Sequence, residues 1–126
     1  GLPRLESILL AALPTTPDRW QRWRQWMAFL GAAVSGGVIL NEERRSNSRF
    51  LAALVLELEA AVDAGDLPAA FPLQTEARAL MSLVDGLGVD AVLHPELFGP
   101  NDLRTIVRRH LSRLKEFTPA SPPKPL

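Results

Sequence analysis

The chain has 126 residues and no cysteine, which leaves room for one domain with a single core and excludes disulfides, thiolate metal sites and a cysteine nucleophile. Its 14 Lys and Arg balance 14 Asp and Glu, against the basic excess expected of a chain that holds nucleic acid by its phosphates. There is no run of about 20 apolar residues and no basic-then-apolar leader, so no membrane span or secretory signal is expected and the chain reads as cytoplasmic.

Gly1 stands directly inside a helical pattern, so a fragment of a longer protein is expected. Leu5, Ile8, Leu9 and Ala12 form a short stripe that must stop at Leu13-Pro14, because the residue before a proline is pushed out of the helical region. Thr15-Thr16-Pro17-Asp18 is a helix start, with Thr16 able to cap and Pro17 acceptable in the first turn. The helix predicted over residues 17–34 carries Trp20, Trp23, Met27, Leu30 and Val34 on one stripe, with Trp26 and Ala33 beside it. Arg19, Gln21, Arg22, Arg24 and Gln25 oppose them, and Ser35-Gly36-Gly37 is expected to end the helix.

Residues 38–41 are apolar and residues 41–49 densely polar, the exposed start of a long helix with Glu42/Ser46 and Arg45/Arg49 one turn apart. Leu51, Leu54, Val55, Leu58 and Val62 then follow at the helical period, Glu57 and Glu59 are expected to point away, and Gly65 is the expected C-cap. After a linker at residues 69–72, a helix begins at Gln74 or Thr75. Its stripe is Ala77, Leu80, Met81, Val84, Leu87 and Ala91, widened by Ala79 and Leu83, while Gly86 and Gly88 loosen its end.

Residues 94–101 form the turn, with Asn101 the expected cap of the last helix. There Leu103, Ile106, Val107, His110, Leu111 and Leu114 face one way, and Arg104, Thr105, Arg108, Arg109, Ser112 and Arg113 the other. A helix apolar on most of its circumference needs a second neighbour, most simply another copy of the chain. The expected dimer interface is Ala79, Leu83, Leu87, Leu103, Ile106, Val107, His110, Leu111 and Leu114. Residues 117–126, with four prolines and no periodicity, are expected to be a disordered tail. No strand pattern or internal repeat appears.

Catalysis has little support. No Ser/His/Asp spacing, glycine-rich phosphate loop or His-Glu metal motif is present, and Glu57 and Glu59, two apart, do not face each other on a helix. With His94 and His110 the only histidines, no metal site and no cofactor is expected. The cluster Trp20, Trp23, Trp26, Met27 and Phe29 has two readings, core packing or the wall of an apolar ligand pocket. A third reading, a membrane-lying Arg/Trp helix, conflicts with the demand of the other helices for that same face. Asp85 is either solvated or paired with an arginine, or else placed to orient a ligand amine or cap a neighbouring helix. The basic face of Arg104, Arg108, Arg109 and Arg113 reads as solvated surface.

The order of these segments resembles a known family. The Trp-rich capped helix, followed by a long helix closing on Ala60-Ala61-Val62-Asp63-Ala64-Gly65-Asp66-Leu67, is similar to the regulatory domain of TetR-family transcriptional repressors. Leu80-Met81-Ser82-Leu83-Val84-Asp85-Gly86-Leu87, then His94-Pro95-Glu96-Leu97 and Asn101-Asp102-Leu103-Arg104, resembles the dimerisation helices of its BetI-like subgroup. The resemblance implies an all-α bundle of about five helices with a four-helix dimer interface. Residues 1–13 would end an interdomain linking helix, 14–116 form the effector-binding and dimerisation domain, and 117–126 the tail.

It also implies a homodimer and an apolar or amphipathic small-molecule effector that would release the repressor from DNA, with DNA contacted only through an N-terminal domain absent from this sequence. The ligand-binding residues expected on that basis are Trp23, Trp26, Met27, Phe50, Leu54, Met81, Val84 and Asp85. The alternative is a purely structural helical dimerisation module with a filled core and no ligand.

Overall fold

The computed structural model describes residues 1–36 and 38–118, together with the side chains of all of these but 38–40. It contains α1 (Leu2–Ala12), α2 (Pro17–Gly36), α3 (Val38–Asp63), α4 (Leu73–Leu93) and α5 (Pro100–Leu114), with no strand among the described residues. The expected apolar side chains of residues 38–40, the helix end at Gly37 and the tail at residues 119–126 lie outside what is described.

The helix α1 is the strut of the bundle, packed on α3, α4 and α5. Its Leu2, Leu5 and Leu9, with Leu13 just past its end, are buried at one-turn spacing, and Pro14 holds Leu13 extended. Fully burying such a leucine contributes about 1.5–3 kcal/mol. In α2, the Thr16 hydroxyl accepts the Arg19 amide (3.3 Å), leaving Pro17 in the first turn where a missing N–H costs nothing. The helix continues through Ser35 and Gly36, past its expected end.

Only Ala33 of α2 is fully buried, and Val34, expected on the stripe, is 69% exposed. Indole N–H groups do much of the anchoring. Trp20 donates to the Ala91 carbonyl of α4 (3.2 Å), Trp23 to the Ala12 carbonyl of α1 (3.0 Å), and Trp26 to both carboxylate oxygens of Glu43 in α3 (3.3 Å each).

The helix α3 ends as expected. Gly65 takes φ +81°, the Asp66 amide reaches back to the Ala61 carbonyl and the Gly65 amide to that of Val62, which satisfies the final carbonyls. Glu57 corrects the expectation that it points outward: it is 8% exposed, and its carboxylate accepts from the Arg4 guanidinium of α1 at 3.1 Å. Charge alone places Glu57 on an outward face, but a carboxylate with a cationic partner can be buried.

In α4, Ala77, Leu80, Val84, Leu87, Gly88 and Ala91 turn inward, and neither glycine interrupts the helix. Ahead of α5 the cap is Gly99, not Asn101. The Gly99 amide donates to the Asp102 carboxylate (3.0 Å), whereas Asn101 Oδ1 accepts from Arg104 (2.8 Å). Phe117, expected in the tail, instead packs edge-on against buried Phe71 with ring centroids 5.2 Å apart.

The expected dimer interface divides. Leu87, Leu103, Val107, Leu111 and Leu114 are buried in the chain's own core, so little of their surface remains for a second copy. The reason is α1, which reads in sequence as a short lead-in but covers the inner face of α5. Leu83, Ile106 and His110 remain partly exposed and Ala79 exposed.

Candidate functional site

Four of the five helices meet around a cavity of about 290 Å³ lined by Ala12 of α1, Arg22, Trp23 and Trp26 of α2, Glu43, Ser46, Asn47 and Phe50 of α3, and Val84 and Asp85 of α4. Its size is at the lower end of small-molecule pockets, and its aromatic walls with a few convergent polar groups are their usual composition.

The walls follow from local packing. The outer edge of the Trp23 benzene ring lies against α4 where Gly88 leaves space: a methyl built on Gly88 would overlap that edge. With its Nε1 held by the Ala12 carbonyl, Gly88 of α4 beside it and Trp26 packed edge-to-face with it (centroids 5.2 Å, planes at 72°), the Trp23 indole is fixed from three sides. Trp26 is oriented in turn by Glu43.

Two carboxylates face this space. Asp85 enters no ion pair among the described residues, and burial, reinforced by the nearby Glu43 carboxylate, raises its carboxyl above the ordinary value. Arg22 contributes to the lining from an exposed position on α2. A second, apolar groove of about 640 Å³ runs between α2 and α4 along Met27, Leu30, Gly31, Val34, Gly86, Val89 and Asp90, and shares Trp26 and Asp85 with the first.

Of the eight expected ligand-binding residues, the cavity brings together Trp23, Trp26, Phe50, Val84 and Asp85. Met27 lies in the adjoining groove. Leu54 is corrected to the core, fully enclosed one turn beyond Phe50, and Met81 packs against the core without lining the cavity. Ala12, Arg22, Glu43, Ser46 and Asn47 were missed. A signal for three of them exists: stepping the face of Leu54 and Phe50 back through one-turn spacings reaches Asn47, Ser46 and Glu43 inside the polar run. Ala12 and Arg22 carry no such signal, since only the crossing of α1 and α2 over α3 brings them to the site.

No nucleophile is paired with a base at the cavity, and among the described residues no group of three His, Cys, Asp or Glu is placed to hold a metal. No helix among the described residues is long and apolar enough to cross a membrane. A polar link joins α4 to α5, where His110 Nε2 and Glu76 Oε1 lie 2.8 Å apart. The profile of one family, described as BetI-type transcriptional repressor, C-terminal, matches residues 2–115. No curated protein and no solved structure matches the chain.

Proposed function

The chain belongs to the BetI-type family of TetR-type repressor C-terminal domains, a family of transcriptional regulators, and from that premise we propose that it is the effector-sensing and dimerisation half of a repressor. The observation that carries the sensing role is the cavity walled by Trp23, Trp26 and Phe50 with Asp85 on its lining and no ion pair to that carboxylate among the described residues.

Its occupant is a small amphipathic molecule. An apolar body lies against the aromatic walls, and a polar end that favours ionised Asp85 offsets the cost of holding that carboxylate away from water. The signal leaves the site through Trp23, whose indole is both a wall of the cavity and the hydrogen-bond partner of the last turn of α1. A ligand that displaces Trp23 releases or re-aims α1, the helix that would link this half to a DNA-reading half. It does so only as far as it binds the two arrangements unequally, typically by about 1–3 kcal/mol.

Dimerisation uses the surface left open once the core is closed. Ala79, Leu83, Gly86 and Leu93 fall on one outer face of α4, Leu93 being 59% exposed, with Ile106 and His110 at the edge of α5. Apolar atoms repeated along one helix face are what a two-fold interface needs.

The test is titration of a library of apolar, cationic and anionic small molecules while following tryptophan fluorescence and the melting temperature. Saturable quenching with a rise in Tm is expected from at least one class. Silence across all classes would instead favour the structural dimerisation module.

A further inference from the structure

Two glycines are unexplained by the bundle's own packing. Gly88 is required by the Trp23 ring, but Gly31 inside α2 and Gly86 inside α4 are exposed, and a methyl built on either would meet no atom within 4 Å. Glycine within a helix is costly because it has more backbone freedom to lose on folding, so alanine would be the stabler choice at both positions if the chain stood alone. Both glycines line the apolar groove between α2 and α4, whose walls include Met27, Leu30, Val34 and Val89. Bare backbone on two neighbouring helices lets a third helix approach closely, and Val34, 69% exposed, adds apolar surface for it to cover.

The sequence of α4 selects the helix that fits. Counted from Gly86, Leu83 and Val89 lie three residues to either side, and Ala79 and Leu93 seven. An antiparallel crossing of two α4 helices at Gly86 therefore sets Leu83 against Val89 and the small Ala79 against the exposed Leu93, each contact made twice about a two-fold axis.

Area favours the same occupant. A large aliphatic side chain presents about 100 Å² of apolar surface when wholly exposed, so the outer face of α4 with the edge of α5, where only Ala79, Gly86 and Leu93 are exposed, offers about 200 Å². A homodimer interface of standard size takes about 500 Å² of apolar surface from each protomer. The groove is the apolar surface that adjoins this face at Gly86.

Resting on the dimerisation and effector-sensing readings above, we infer that the α2–α4 groove belongs to the interface between two copies of this chain. The α4 helix of the second copy crosses at Gly86 and lies over Gly31 and Val34. Because the groove shares Trp26 and Asp85 with the cavity, that helix backs one wall of the effector site, which is complete only in the dimer. Effector affinity and dimer affinity are then raised by the same factor.

The test uses the 126-residue chain in sedimentation equilibrium, with melting followed above and below the dimer dissociation constant. Gly31→Ala and Gly86→Ala should each raise the Tm of the dilute monomer by a few °C, yet weaken the dimer. Gly31→Leu and Gly86→Leu should weaken it at least tenfold, with folding checked by circular dichroism. Gly31 locates the partner, because it stands on α2, away from the edge of α5. Gly31→Leu leaving dimer affinity unchanged would overturn the inference, with the dimerisation reading intact.

Because the chain has no cysteine, Gly86→Cys should give a covalent dimer under mild oxidation, as a disulfide needs Cα atoms about 4.4–6.8 Å apart. Failure of that crosslink in a chain that still dimerises would overturn the crossing point. Acrylamide quenching of tryptophan fluorescence should fall as the dilute chain is concentrated, because Trp26 becomes covered. Unchanged quenching would overturn the completion of the site by a partner. A chain monomeric at every concentration would remove the dimerisation reading as well, leaving effector sensing to its own titration.

Discussion

Gly88→Ala separates the tertiary packing of this protein from the preferences of its helices. In an isolated helix the change is favourable by about 1 kcal/mol, because alanine restricts the unfolded chain and glycine does not. Here the new methyl would occupy the space of the Trp23 indole, and the ring has little room to yield: Ala12 holds its Nε1 and Trp26 packs edge-to-face with it. Displacing it risks the indole hydrogen bond and the aromatic contact, about 0.5–1.5 kcal/mol each, and overpacking a filled site costs about 1–3 kcal/mol.

The losses, about 2–6 kcal/mol together, exceed the gain of about 1 kcal/mol, so a net destabilisation of about 1–5 kcal/mol is expected, a drop in Tm of several °C per kcal/mol for a domain of this size. Urea denaturation and calorimetry of a four-member cycle with Trp23→Leu provide the assay. In the Trp23→Leu background the clash is gone and Gly88→Ala should stabilise by about 0.5–1 kcal/mol, reversing its sign. An equal effect of Gly88→Ala in both backgrounds would refute the packing of Trp23 on α4.

Asp85 gives a pH signature. Its carboxyl keeps a proton to higher pH in the folded chain than in the unfolded one, so the native state binds more protons between those two values. Stability should therefore fall as pH rises through that window and stay lower above it, whereas Asp85→Asn should remove that part of the slope in urea melts followed from pH 3 to 8 (the range about the ordinary carboxylate titration). A cationic ligand should bind more tightly as pH rises through the same window. Leu103→Ala, in the core, should cost about 2–5 kcal/mol on denaturation. Leu83→Glu with Ile106→Glu, on the outer surface, should instead give folded monomers by analytical ultracentrifugation, and a retained dimer would move the interface elsewhere. Phe117→Ala should lower stability by about 1–2 kcal/mol through loss of its contact with Phe71, measurable by thermal melting.

The helical period, the proline at position 14, the Thr16-Pro17 start and the glycine at position 65 specify where the helices lie, because each acts within one or two turns of itself. The aromatic wall was legible for the same reason: Trp23 and Trp26 share a face of one helix whatever lies opposite. Which apolar faces are spent inside the chain was not legible. The stripes of α4 and α5 look alike in sequence whether they meet a second copy or α1, and only the path of α1 across α5 buries Leu103, Val107 and Leu111.

Polar residues were misread for a related reason. Glu57 and Glu43 both belong to stretches of α3 that appear solvated, yet Arg4 draws one inward and Trp26 orients the other. Periodicity reports which residues of a helix share a face. The free energy of burying that face depends on the partner set against it, and partners distant in sequence are chosen only when the whole chain packs.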